Sequence, residues 1–270
     1  PCIRMQFLKT DTLQQGFGTS LTNLCTLRLH STESVLVDDV DTWITALSKQ
    51  GIHASQLNLV LKFKDKNWGT GPFKSTAMVF ILKGLEIGVA SYEVIPHHSG
   101  HPLPMVEIGF GLERTCWAIN KTGSYFDFIA PMWSNEGAFV HDRCRTISLL
   151  LVSGVKKGNK GAGLQLHRVV LDLLCQEGDR EVIFRDLISY YGNFWQQILQ
   201  DNGAVNVAYQ FERLMHTIRV NYLQTKYHLP RFEKIHSTNE YIEQLVKAGL
   251  LDVTKVKDML EGWDQSLKRR

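Results

Sequence analysis

The chain has 270 residues, 44% of them hydrophobic and 21% charged, with a formal net charge of +3. That composition excludes a disordered chain and is enough for one large core or two smaller ones. Apolar runs without charge, such as Ser75 to Leu82 and Thr146 to Val155, reach only about half of the ~20 residues that cross a bilayer, so no membrane span is expected.

The chain opens Pro-Cys-Ile-Arg-Met without a basic start and apolar run, so no secretory signal is read and a cytoplasmic protein is expected. Cys2, Cys25, Cys116, Cys144 and Cys175 are widely spaced and lack a C-x-x-C pair, which favours reduced thiols over a disulfide framework or zinc site. Residues 20–30 alternate as a strand does. A helix follows: Asp38 or Asp39 can cap it, Val40, Trp43, Ile44 and Leu47 have helical spacing, and Gly51 ends it. Residues 56–64, 77–83, 85–95 and 105–109 are rich in Val, Ile, Leu and Thr and read as further strands. Pro96-His97-His98-Ser99-Gly100 reads as a turn. With His101 it is either the wet tip of a hairpin, the reading adopted, or a metal site; no metal is assigned.

From Leu112 the period lengthens to about 3.6 residues. Val207, Phe211, Leu214, Ile218 and Tyr222 form one apolar stripe, and Tyr241, Leu245 and Val246 mark a last helix. Strands followed by helices imply an α+β fold: an antiparallel sheet with helices over residues 1–130, then an all-helical domain over 131–270. The apolar stripes are read as core, with a homodimer interface as the alternative.

Charge is uneven along the chain. The first 140 residues carry 11 Lys and Arg against 12 Asp and Glu, whereas the remainder carries 19 against 15. Arg143, Arg145, Lys156, Lys157, Lys160 and Arg168 meet no acid until Asp172. This cationic stretch suits either a polyanionic partner or an ordinary solvated face.

The chemistry concentrates in Val106-Glu107-Ile108-Gly109-Phe110-Gly111-Leu112-Glu113-Arg114. Two glycines one residue apart on a strand leave room for a flat or anionic ligand, and Arg114 can clamp phosphate oxygens. A dinucleotide fingerprint does not fit, because Arg114 replaces the third glycine. The other reading of this stretch is a tight strand-to-helix junction with a surface arginine.

Gly-Phe-Gly-Leu-Glu-Arg resembles motif 3 of the class II aminoacyl-tRNA synthetases, and residues 1 to about 175 are similar in colinear order to the alanyl-tRNA synthetase family. Pro1-Cys2-Ile3-Arg4 resembles the start of motif 2, Asn67-Trp68-Gly69-Thr70-Gly71-Pro72 a shortened N-F-W…T-G-P loop, Glu86-Ile87-Gly88-Val89 the E-I-W-N segment, and Pro102-Leu103-Pro104 the P-L-P segment. His141-Asp142-Arg143-Cys144-Arg145 through His167-Arg168 resembles A-D-H-x-R-A…D-G-V…S-N-E-G-R-G-Y-V-L-R-R, which opens the family's acceptor-stem domain.

The resemblance implies an ATP-dependent, adenylate-forming ligase. ATP would be bound by Arg4, Gly109, Gly111 and Arg114, of which Arg4 and Arg114 are catalytic, with Mg²⁺ arriving on the phosphates. The amino acid would lie against Trp68, Val89 and Glu107, and the tRNA acceptor stem against Asn159, Lys160 and Arg168. Trp68 alternatively fills core. Glu107 stands where the family has Asp, Gly88-Val89 where it has W-N, and Thr19 to Thr26 where it has H-x-T-F-F-E-M, so a reshaped pocket and loss of the adenine-stacking Phe follow. Two further readings stay open: a repurposed ligase acting on a carrier protein or small molecule, and a non-catalytic RNA-binding homologue.

Overall fold

The computed structural model describes residues 3–4, 16, 18–68, 71–97, 100–120, 123–175, 180–200, 206–232 and 237–252, with the side chains of 67 and 68 excepted. Among these residues the chain forms two compact units. One is a sheet unit, Leu21–Ser134 with Gly16; the other is a helical unit from Asn135 onward, joined by Ile3, Arg4 and Gly18–Ser20.

The sheet has five antiparallel strands, β1 (Asn23–Leu29), β2 (Leu57–Trp68), β3 (Gly71–Leu82), β4 (Leu85–Ile95) and β5 (Leu103–Gly111), in the order β1-β5-β4-β3-β2. Helix α1 (Glu33–Lys49) buries Leu36, Val40 and Leu47 against Phe80, Ile87, Val106, Ile108 and Phe110 of one sheet face. Trp43 stacks on Phe110 with ring centroids 4.8 Å apart. The helix starts earlier than an Asp38 or Asp39 cap would set it, with Thr32 at the N-cap. Asp39 is instead buried in an ion pair with Arg28 at 2.8 Å.

β2 and β3 also run further than their apolar cores suggest, with Trp68 opposite Gly71 at the end of the hairpin. Backbone pairing overrides the turn-like composition there, as it can wherever two strands already share a register. The turn between β4 and β5 is closed by the Gly100 N–H, which donates to the His97 carbonyl at 3.0 Å; His98 and Ser99 lie outside the described residues.

A β-bulge sets the register of β4. Phe80 is opposite Gly88 and Ile81 opposite Glu86, so Ile87 is the extra residue. A Cβ at Gly88 would come within 2.4 Å of the Phe110 ring. The position that the family resemblance fills with Trp is therefore closed by Phe110.

Helices α2 (Leu112–Asn120) and α3 (Tyr125–Ile129) complete the sheet unit, and α4 (Ala138–Val152), α5 (Gly161–Leu174), α6 (Glu181–Leu199), α7 (Val207–Tyr227) and α8 (Thr238–Lys247) build the helical unit. Every residue of α4 from Val140 to Val152 is buried, so α4 is the unit's central helix. Val207, Phe211, Leu214 and Ile218 are buried along α7, and Tyr241 and Leu245 of α8 join Leu223 in a smaller cluster. No helix among the described residues is long and apolar enough to cross a membrane.

His216 joins α7 to the start of α8. Its Nδ1 lies 3.2 Å from Thr238 Oγ1 and accepts from the Thr238 N–H at 3.4 Å, which requires an unprotonated nitrogen. Burial, then Arg219, lowers the His216 pKa, while Glu181 and Glu212 oppose them. A histidine with a depressed folded pKa contributes stability above its unfolded value of about 6.5 and loses it as the pH falls through the lower folded value. The protection factors of the α8 amides, with the intrinsic pH dependence of exchange divided out, should therefore fall as the pH drops below about 6.5, and His216→Asn, whose amide oxygen still accepts, should flatten that dependence.

Candidate functional site

Residues directly opposed on antiparallel neighbours share a face of the sheet. On β5, Val106, Ile108 and Phe110 face the core, which leaves Glu107, Gly109 and Gly111 on the other side. Register adds Leu27, Cys25 and Asn23 from β1 and Ser91 and Val89 from β4. The bulge returns Glu86 to the same side, because Glu86 is opposite Ile81 while Val89 is opposite Val79. Glu86, Val89, Glu107, Gly109 and Gly111 thus occupy one face.

Each glycine on this face accommodates a neighbouring side chain. A Cβ at Gly109 would lie 3.0 Å from Asn23 Oδ1, so the Asn23 carboxamide lies over that glycine. A Cβ at Gly111 would touch the Arg114 side chain at 3.7 Å, so the stem of Arg114 runs along it. Arg114 is half-buried, and that burial holds its pKa below the ordinary arginine value against the opposing charges of Glu86 and Tyr125. A partly desolvated guanidinium beside bare backbone is suited to a polyanion, because its charge is screened less than at an exposed site.

Glu113 has a different task. Its two carboxylate oxygens accept from the Thr22 N–H at 2.9 and 3.0 Å, and the Leu112 N–H donates to the Thr22 carbonyl at 3.0 Å. The acid of Gly-Leu-Glu-Arg therefore ties the start of β1 to the β5–α2 junction. Burial, followed by Glu113, raises the Cys116 thiol pKa, which disfavours the thiolate.

Glu93, which the sequence reading passed over, lies on the same face of β4. It is fully buried; Oε1 accepts from Ser75 Oγ at 3.0 Å and pairs with the Lys66 ammonium. Trp68 closes β2 opposite Gly71, three strands from β5, and its side chain lies outside the described residues. Arg4 groups with the helical unit, where its N–H donates to the Thr19 carbonyl at 2.8 Å and the residue is exposed. Pro1 and Cys2 lie outside the described residues.

In the helical unit the cationic stretch proves smaller than its sequence. Arg143 is buried, 2.8 Å from Asp142, 3.3 Å from Asp172, and over the Phe139 ring at 4.2 Å. Arg145 is buried over the rings of Trp195 at 4.6 Å and Phe194 at 4.8 Å. Asp142 accepts from the Thr19 N–H and hydroxyl, both at 2.7 Å. Burial nevertheless raises its pKa, opposed by Thr19 and Arg143.

Lys156, Asn159, Lys160 and Arg168 remain exposed on the loop before α5 and on its first turns. A Cβ at Gly163 would fall 2.5 Å from the Lys156 carbonyl, so glycine is needed where this loop lies against the helix. Burial lowers the pKa of Lys157, and burial followed by Lys157 lowers that of His167, which puts these two side chains in one electrostatic neighbourhood.

Compared with protein-family models and with curated proteins, the chain matches none of them. Glu113 offers a test of the junction that holds this face together. Glu113→Ala should lower unfolding stability by about 1.5–3 kcal/mol, the range for a hydrogen bond to a charged group, in urea titrations of the purified chain. A change within about 0.5 kcal/mol would place Glu113 among ordinary surface positions.

Proposed function

We propose that this chain is an alanyl-tRNA-synthetase-like ligase that activates a small amino acid with ATP and transfers it to tRNA. The observation that carries the reading is the half-buried Arg114 lying along Gly111, on a sheet face that also presents Glu107, Gly109 and Glu86. A substrate carboxylate oxygen attacks the α-phosphorus of ATP, a new P–O bond forms, and pyrophosphate departs with the electrons of the broken bond. An acceptor hydroxyl then attacks the acyl carbon, loses its proton to solvent, and displaces AMP.

Arg114 holds the γ-phosphate end, and its low hydration increases its hold on charge that builds on the leaving pyrophosphate. Glu107 holds the substrate ammonium, with Val89 beside it. The resemblance assigns Arg4 to the α-phosphate and Trp68 to the pocket wall. Mg²⁺ would arrive bound to the phosphates, where it would neutralise charge and need few protein ligands. Asn159, Lys160 and Arg168 contact the acceptor stem, the two cations through phosphates.

A second reading, a ligase that acylates a carrier protein or small molecule, is favoured by the burial of Arg143 and Arg145, which leaves less exposed positive charge for a nucleic acid.

Amino-acid-dependent pyrophosphate exchange, with and without tRNA, tests both readings. Wild-type protein should exchange with at least one amino acid, and Arg114→Ala should reduce the rate by about 100-fold or more. Full activity in that variant would contradict the nucleotide site. For the tRNA reading, Lys160→Ala and Arg168→Ala should each reduce the salt dependence of tRNA binding by about one unit of slope. Exchange combined with no tRNA binding would select the second reading.

A further inference from the structure

Glu93 is a carboxylate near the end of β4 with none of its surface exposed. Buried carboxylates ordinarily have partners on both oxygens. Here Oε1 has Ser75 and Lys66, whereas Oε2 is buried with no hydrogen-bond partner among the described residues. Fixing the backbone of β2 to β4 would require only the Oε1 contacts, so Oε2 is the atom that lacks a structural explanation.

The register shows what Oε2 can serve. Glu93 is opposite Met105, and Glu107, two residues further along β5, is opposite Ser91. Glu93 and Glu107 are therefore diagonal neighbours on one face, with Cα atoms about 7–8 Å apart. That separation suits two donor groups on a single small molecule. Charge narrows the choice further: Lys66 already balances Glu93, and an α-ammonium would balance Glu107, so the second donor should be uncharged.

We propose that Glu93 Oε2 accepts a hydrogen bond from an uncharged side-chain donor of the activated amino acid, a hydroxyl or carboxamide N–H, so that the substrate is a small polar amino acid. This rests on the adenylation reading above. Glu93 is then a specificity determinant: an apolar isostere would leave the buried oxygen without a partner and be rejected.

The test is pyrophosphate exchange with matched pairs, serine against 2-aminobutyrate, threonine against valine, and asparagine against leucine. In at least one pair the polar member should have a kcat/KM about 100-fold or more above its apolar partner. Glu93→Met keeps the approximate length but offers neither acceptor nor donor there, and it should bring that ratio close to one while still binding ATP. A purely structural role would alter overall activity or thermal stability without moving the ratio. Robust exchange without polar preference in the wild type, a result that needs no variant to fold, would overturn this inference alone. So would an unchanged ratio in Glu93→Met. Exchange with no amino acid at all would overturn the adenylation reading, and this inference with it.

Discussion

Strand β5 must serve two faces at once, and that constraint organises the sheet unit. Its even-numbered residues, Val106, Ile108 and Phe110, are fixed by the core under α1. A one-residue slip would exchange the faces and bury Glu107, so the register is strongly specified. Glu113 secures the end of the strand by holding Thr22, and the bulge at Ile87 brings Glu86 back to the face that carries Glu107. The candidate site thus follows from the packing of the opposite face.

The helical unit solves a different problem, the burial of charge. Asp142, Arg143 and Arg145 lie on a helix that is buried on all sides, and each is compensated locally by Thr19, by Asp172, or by aromatic faces. Buried ion pairs of this kind contribute more to a unique arrangement than to net stability. Their consequence for function is that, of the basic run from Arg143 to Arg168, only the residues on the loop before α5 and on the exposed side of that helix offer positive charge to a partner.

The sheet and the succession of helices were legible because they depend on period-two and period-3.6 apolar patterns, as in β5 and along Val207 to Ile218 of α7. Element ends were less so. Asp39 has the chemistry of a cap but is used by Arg28, and the outer part of the β2–β3 hairpin is hidden by Asp65, Lys66 and a run of turn-forming residues. Gly109, Gly111 and Arg114 stood out through local spacing. Asn23 and Glu93 did not, because their importance comes from cross-strand neighbours far away in sequence. The stretch from Arg143 to Arg168 reads as uniformly basic, since sequence alone does not say which arginines face inward.

On the proposed reading, the β5 face and Arg114 bind an aminoacyl adenylate. Calorimetric titration with alanyl- and seryl-sulfamoyladenosine, unreactive mimics of that intermediate, tests it most directly. At least one should bind about 100-fold or more tightly than ATP, as mimics of a high-energy intermediate do, and should lose that advantage in Arg114→Ala. Binding no tighter than ATP, or equal binding to both proteins, would contradict it.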